Sequence, residues 1–520
     1  VLNLATLLEN SAREHPDKTA IVFRDMRLSY QQVNAMANQV ANGLLHAGIE
    51  KGDKVALSCP NIPYFPIVYY GILKAGATVV PLNVLLKRRE VAYHLENSDA
   101  KAYFCFEGTE QLPLGEEGHG GFCDVDSCEH FWIMTANPGA PSPLEGVDTL
   151  ASLLGESPIF DTVQTDALDT AVIIYTSGTT GQPKGAELTH SNLVLNSKVS
   201  RDLFGSTTED VSLVVLPLFH SFGQTCQMNA GFLAGLSLVL LPRFTPDGVF
   251  DALQNEHVTM FCGVPTMYWD LLNYPDAENY DIKQIAETLR GGVSGGAAMP
   301  VEVMKRFEER FGIEILEGYG LSETSPTASF NRRDRERKAG SIGIPVWGVE
   351  MRVVDDEMND VPVDEPGEIV IRGHNIMKGY YKNPSANADA FRGGWFHTGD
   401  VGKVDDDGYF YIVDRTKDMI IRGGFNVYPR EIEEVLMAHP DISLAAVVGT
   451  PHEEYGEEIK AFVIPRAGAD IAGDGIKAWA KKEMAAYKYP RIVEICESLP
   501  LGPTGKILKT ELRKLEQGKG

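Results

Sequence analysis

Along roughly the first two thirds of the chain, apolar positions follow two rhythms that take turns. From Tyr30 to Gly48 they recur at helical spacing, and Gly48 and Gly52 stop that helix. Val55-Ala56-Leu57 then reads as a short buried strand, Tyr69 to Leu73 as part of a second apolar helix, and Thr78-Val79-Val80-Pro81-Leu82 as the next strand. The same rhythm returns at Leu213-Val214-Val215-Leu216, Leu236 to Leu241 and Met260-Phe261. Alternating strand and helix patterns predict an α/β fold.

Near residue 340 the texture changes. From Gly340 to Val413 alternating strands and turns dominate, as in Glu350–Val354, Gly367–Ile371 and Tyr409–Val413, and predict a β-rich subdomain over 340–413. The polar run Asp414-Arg415-Thr416-Lys417-Asp418 reads as a linker. The expected organisation is a large N-terminal domain, 1–416, and a small α+β domain, 417–520.

Length and composition narrow the function. At 520 residues, 43% apolar and 23% charged, the chain has material for a large core and more than one domain. The net charge of −25 repels phosphate backbones, and the run from Arg332 to Lys338 mixes signs, so no nucleic-acid partner is expected. Seven cysteines give no disulfide framework. Cys123, Cys128 and His130 fall one ligand short of a zinc site and read as reduced thiols. The best membrane-span candidate, Ile62 to Leu86, is broken by Pro63, Pro66, Lys74 and Pro81. With no signal-peptide pattern at Val1 and no sorting signal in Gly518-Lys519-Gly520, a cytoplasmic protein is expected. Glycine is abundant, 51 residues, and clusters at the ends of the predicted strands, where open α/β sheets bind ligands.

Several segments carry chemistry. Tyr175-Thr176-Ser177-Gly178-Thr179-Thr180-Gly181-Gln182-Pro183-Lys184-Gly185 leaves the apolar strand Ala171–Ile174. Its glycines let N–H groups turn inward, its hydroxyls add donors and Lys184 adds charge, which suits a polyphosphate. It lacks the Gly-Lys-Ser/Thr ending of a Walker A loop. Gly292-Val293-Ser294-Gly295-Gly296 has the G-x-S-x-G spacing of a hydrolase nucleophile, without an upstream oxyanion segment; its glycines also fit a backbone pressed on a flat ligand. In Gly318-Tyr319-Gly320-Leu321-Ser322-Glu323-Thr324, the tyrosine can cover a base, Glu323 is a hard oxygen ligand for Mg²⁺, and Thr324 can donate to a phosphate. Asp400, in Trp395-Phe396-His397-Thr398-Gly399-Asp400, can accept two ribose hydroxyls. Lys506 sits on the Pro/Gly-braced loop Pro503-Thr504-Gly505-Lys506, and His220 follows a strand end.

Taken in order, YTSGTTGQPKG, GYGLSET, WFHTGD, DRTKDMIIRGGFNVYPREIE and PTGK resemble the adenylate-forming superfamily of acyl-CoA synthetases, aryl-CoA ligases, beetle luciferases and peptide-synthetase adenylation domains, over essentially the whole chain. The resemblance implies a large N-terminal domain of two α/β sheets plus a small β-barrel, with a mobile α+β C-terminal domain. It implies attack of a carboxylate on the α-phosphate of Mg·ATP, giving acyl-AMP and pyrophosphate, then displacement of AMP by coenzyme A.

By that resemblance Thr176, Ser177, Gly178, Thr179, Thr180, Gly181 and Lys184 hold phosphates, and Ser177 and Glu323 position Mg²⁺. Gly295, Gly296, Ala297 and Tyr319 frame adenine, with Glu317, Gly318 and Thr324 also in the nucleotide site. Asp400 and Arg415 hold the ribose, and Lys506 bridges carboxylate and α-phosphate in the first step only. Lys417 matches the hinge, whose rotation brings Gly423 and Gly424 to the site for coenzyme A. Phe219, His220, Phe222, Val264 and Gly320 line the acid pocket, and His220 counts among the catalytic candidates with Lys506, Glu323 and Thr324.

No Asp follows Phe219 to grip an α-amine, which disfavours an amino acid. Gln224 stands where some long-chain members carry a gating Trp. The expected substrate is a medium- or long-chain fatty acid, and the expected state a monomer or homodimer with at most loose membrane contact. Rival readings are an aryl-CoA ligase, an acyl-AMP ligase loading a carrier protein, a luciferase-like oxygenase and a non-catalytic nucleotide-binding relative.

Overall fold

The computed structural model describes residues 2–176, 182–415 and 417–517. Two large sheets carry the first part of the chain. In one of eight strands, Thr170–Thr176, Thr78–Pro81, Lys54–Ser58, Ala100–Phe106, His130–Met134 and Asp148–Thr149 run parallel in that spatial order, and Lys184–Thr189 and Gly379–Tyr380 add antiparallel strands at one edge. In the nine-stranded sheet, Ile315–Gly320, Gly292–Ser294, Met260–Gly263, Val211–Val214, Ser237–Leu240 and Thr19–Phe23 are parallel neighbours. Val55, Ala56 and Leu57 are all fully buried, which explains why the strand reads as a continuous apolar run rather than an alternating one.

Helices cover these sheets. Tyr30–His46 begins at a reciprocal cap: Ser29 accepts from the Gln32 N–H while the Gln32 side chain accepts from the Ser29 N–H. Tyr64–Lys74 is buried along nearly its whole length, and Lys74 at its end is paired with Glu9 of the helix Thr6–Glu14. The segment Phe222–Asn229 is wound as a π-helix, a wide turn that often borders functional sites.

The expected β-rich subdomain is a five-stranded antiparallel sheet. Val349–Val354, Gly367–Gly373, Trp395–Val404 and Phe391–Arg392 follow one another in it, and Phe410–Arg415 also pairs with Trp395–Val404. A second five-stranded sheet, built on the long hairpin Ile442–His452 and Gly456–Pro465, occupies the C-terminal part.

The largest cluster of buried apolar side chains lies between Leu4 and Phe410, and the C-terminal part has a separate one between Ile420 and Leu512. Polar contacts join them. The Trp269 indole N–H donates to Ser443, Thr266 to the Gly505 carbonyl, the Val301 N–H to Glu434, and the Arg430 guanidinium to the Ile412 and Gly340 carbonyls. No helix among the described residues is long and apolar enough to cross a membrane.

The Lys74 ammonium is 1% exposed, so its charge depends on Glu9. Glu9→Gln is expected to destabilise the large unit by about 2 kcal/mol, the low side for breaking a buried pair because Glu9 is a third exposed. Adding Lys74→Met should recover most of that loss; urea denaturation of the single and double variants measures both.

Candidate active site

A cavity of about 840 Å³ opens where four units meet. Thr176 and Lys184 reach it from the eight-stranded sheet; Ser294 and Gly318 to Gly320 from strand ends of the nine-stranded sheet; Asp400 and Arg415 from the β-rich sheet; and Gly502 to Lys506 from the C-terminal part. Parallel strands thus deliver their carboxyl ends to one crevice.

At one end is a fixed charge pair. Asp400 and Arg415 face each other across antiparallel strands. Arg415 Nε lies 3.0 Å from Asp400 Oδ1, and the Tyr319 hydroxyl donates to Oδ2 at 2.5 Å. Burial and the neighbouring Asp400 both raise the Tyr319 phenol, so it stays a donor.

Next to it is a carboxylate hub. Glu323 Oε1 accepts from Thr176 Oγ1 at 3.2 Å and from the Tyr380 hydroxyl at 2.9 Å. Lys184 places its ammonium 4.9 Å from the centre of the Tyr380 ring, so this tyrosine touches both a cation and the carboxylate.

Lys506 comes from the other side. A Cβ built on Gly296 would stand 3.1 Å from its Cε, so the glycine there leaves room for the lysine to cross. The loop is seated by Thr266, which donates to the Gly505 carbonyl, and by Val264, whose methyls approach both Gly296 and Gly505. Burial, with Arg415 nearby, pushes the ammonium down to about 8, although Asp400 and Glu323 pull the other way.

His220 also lines the cavity, and burial, with Lys506 adding to it, pushes its imidazole down to about 3. Its Nδ1 accepts from the Phe222 N–H at 3.3 Å, which leaves the proton of the neutral ring on Nε2. His220 is therefore a neutral donor at physiological pH, not a titrating base.

The cavity brings together Thr176, Lys184, His220, Phe222, Gly295, Gly296, Gly318, Tyr319, Gly320, Glu323, Asp400, Arg415, Lys417 and Lys506. Ser177, Gly178, Thr179, Thr180 and Gly181 lie outside the described residues. Other expected site residues stand elsewhere. Thr324 is fully buried, and its hydroxyl accepts from the Leu321 N–H and donates to the Pro326 carbonyl, so it braces the turn instead of facing a phosphate. Ser322 of that motif does line the cavity wall, with its hydroxyl 3.3 Å from that of the buried Ser221.

Val264 supports the lysine loop rather than lining the acid pocket, and Phe219 packs against the core. Ala297 is not on the wall. Glu317 lies behind it, 1% exposed, accepting from the Met299 N–H; burial pushes its carboxyl up to about 7. Gly423 and Gly424 form a turn on the C-terminal sheet, beside Tyr455 and away from the cavity.

The sequence reading missed Ser322 and Tyr380. Ser322 stood inside a recognised motif, and only the direction of the turn selects it over Thr324. Tyr380 reaches the site because Gly379–Tyr380 pairs with the strand starting at Lys184, which no local pattern announces. The nucleophile reading of Ser294 fails on geometry: its hydroxyl is fully buried and makes no hydrogen bond among the described residues, so none of them acts as its base. Gln224 is also fully buried, donating to the Leu218 carbonyl and accepting from Tyr69, and is structural.

Strand ends, buried carboxylates and an inserted lysine meet in one crevice, where open α/β sheets bind their ligands. The chain matches the AMP-binding enzyme family over residues 8–381 and the AMP-binding enzyme C-terminal domain over 431–506, and it belongs to that family. It is an AMP-forming acid–thiol ligase.

A long-chain-fatty-acid–CoA ligase of Bacillus subtilis is 34% identical, with 99% of this chain and 94% of that protein covered. A feruloyl-CoA synthase of an Amycolatopsis species is 36% identical, with 97% of each covered. Among solved structures, ATP-bound MatB from Rhodopseudomonas palustris superposes with a TM-score of 0.88 at 31% identity, covering 99% of this chain and 98% of that one. A benzoate CoA ligase from Burkholderia xenovorans reaches 0.89 at 27% identity, covering 99% and 100%.

The two hydroxyls of the Ser322–Thr324 turn should separate in experiment. Thr324→Val is expected to lower the thermal midpoint with little change in the KM for ATP. Ser322→Ala should leave the midpoint in place and lower the rate of ATP–pyrophosphate exchange about tenfold, the effect of one lost hydrogen bond to a charged group.

Proposed function

We propose that the enzyme activates a medium- or long-chain fatty acid as its acyl-adenylate and transfers the acyl group to coenzyme A, releasing AMP and pyrophosphate. The observation that carries this reading is the mixed lining of the cavity. Its wall holds the cations Lys184, Arg415, Lys417 and Lys506 and also the apolar side chains Phe204, Phe222, Val293 and Phe330. A monocarboxylic acid with an apolar tail fits such a site. The three phenylalanines also favour a second reading, an aryl acid that stacks on them.

The chemistry follows from charge. Carboxylate and triphosphate repel each other, so fixed cations and donors lower the barrier. Lys506 would hold the carboxylate against the α-phosphate, and the neutral His220 would bound the acid without adding charge. Asp400 would take the ribose hydroxyls, and Tyr319 would cover the base. Lys184 would meet the outer phosphates. The buried Glu323 carboxylate and the half-buried Thr176 hydroxyl bonded to it are hard oxygen donors that suit Mg²⁺, which when bound neutralises phosphate charge.

For the second step Lys506 has to leave. Lys417, at the junction of the two clusters, would be the pivot, and the Gly423–Gly424 turn would take the lysine's place beside coenzyme A. The 1–416 and 417–520 division fits that motion.

AMP release measured with Mg·ATP and coenzyme A on acetate, octanoate, palmitate, 4-coumarate and benzoate should be greatest on octanoate or palmitate. Turnover confined to benzoate or 4-coumarate would put the aryl reading in its place. Lys417→Pro should keep pyrophosphate exchange and lose thioester formation.

The free enzyme's exchange activity should fall as pH rises through about 8, where Lys506 loses its proton, with no inflection from His220 between pH 5 and 8. Lys506→Ala should lower the adenylation rate by about 10²–10³ and abolish that fall.

A further inference from the structure

The ladder between the strands Gly367–Gly373 and Trp395–Val404 is interrupted beside the site. Glu368 faces Val401 and Val370 faces His397, so residues 398–400 stand opposite Ile369 alone. The surplus residues bow out as a bulge, a device that re-aims a side chain next to an active site. Its last residue is Asp400, which the bow carries to the cavity wall.

Side chains take over the bonds that the ladder loses there. The Thr398 hydroxyl donates to the Ile369 carbonyl at 2.7 Å and accepts from the Asp400 N–H at 3.0 Å. The Gly399 N–H donates to Glu368 Oε1 at 3.1 Å. Gly399 has φ +70°, and a Cβ there would meet nothing within 4 Å, so glycine is required by the backbone conformation and not by space. The other oxygen of Glu368, Oε2, lies 2.8 Å from Nδ1 of the His397 ring and 3.7 Å from the Arg392 guanidinium. Glu368 is thus fixed from behind while it holds the apex of the bulge, and it does not itself line the cavity.

We infer that Glu368 is a positioning residue for the ribose: by holding Gly399 it fixes the backbone that aims Asp400. Tyr319 and Arg415 hold the carboxylate end of Asp400; Glu368 holds the other end. The role rests on the reading of Asp400 as the ribose ligand. The partners of Glu368 are Gly399, His397 and Arg392, none of them in the phosphate or acid subsite.

The test is pyrophosphate exchange by the full-length enzyme with ATP, 2′-deoxy-ATP and 3′-deoxy-ATP, in wild type, Glu368→Ala, Glu368→Gln, Asp400→Asn and the Glu368→Ala/Asp400→Asn double variant. Wild type should prefer ATP. Glu368→Ala should raise the KM for ATP about tenfold with kcat within about twofold, and shrink the preference over both deoxy analogues by a similar factor. Glu368→Gln, whose amide oxygen still accepts from Gly399, should restore most of the preference. The double variant should discriminate no worse than Asp400→Asn alone.

Loss of kcat on all three nucleotides alike, or a lowered melting temperature with the ATP preference intact, would overturn the positioning role. If Asp400→Asn keeps the full preference for ATP, the ribose reading fails and takes this role with it. If Asp400→Asn loses the preference and Glu368→Ala does not, only the positioning role fails.

Discussion

Everything in the site depends on keeping one lysine charged where water is scarce. Burial works against the Lys506 ammonium, and so does the Arg415 charge beside it. Asp400 and Glu323 offset that cost only because each is held in place. Asp400 is gripped by Tyr319 and Arg415, Glu323 by Thr176 and Tyr380. The lysine's proton is therefore a property of a network drawn from four sheets or loops. In a protein of net charge −25, the electrostatics that matter are local ones.

The same network explains the architecture. Strand ends from both large sheets bring glycine-rich backbone to one crevice, where ligand atoms can approach closely. The β-rich sheet adds the acid–arginine pair as a cross-strand couple, so sheet register itself sets the geometry of the charge pair. The lysine loop arrives last in sequence and rests on Val264 and Thr266, residues that belong to the large unit.

Much of this was legible in the sequence. Fully buried strands such as Lys54–Ser58 and capped helices such as Tyr30–His46 announce themselves locally, because burial on both faces and end-capping both leave short-range patterns. Glu323, Asp400, Arg415 and Lys506, which the motifs marked, all line the cavity. What failed was direction and distance. Thr324 and Ser322 are both hydroxyls, and only the turn decides which one faces inward. Val264 is apolar and adjacent to the site, yet it is spent on seating a loop. Tyr380 depends on a pairing with a strand far earlier in the chain. The bulge at 398–400 exists only relative to its partner strand, and no single stretch of sequence encodes a mismatch between two.

The junction between the two apolar clusters has a thermodynamic character of its own. Apart from the Trp269 ring, which packs on both, and Val264 beside Gly505, the contacts described across it are mainly hydrogen bonds and ion pairs, including Arg466 with Glu302. A change of orientation there exchanges protein hydrogen bonds for water and uncovers little hydrocarbon. Its heat-capacity change is accordingly small, because that quantity follows apolar exposure. For the proposed rotation about Lys417, the free-energy difference between the two orientations would then change almost linearly with temperature, without the dome-shaped curvature of unfolding.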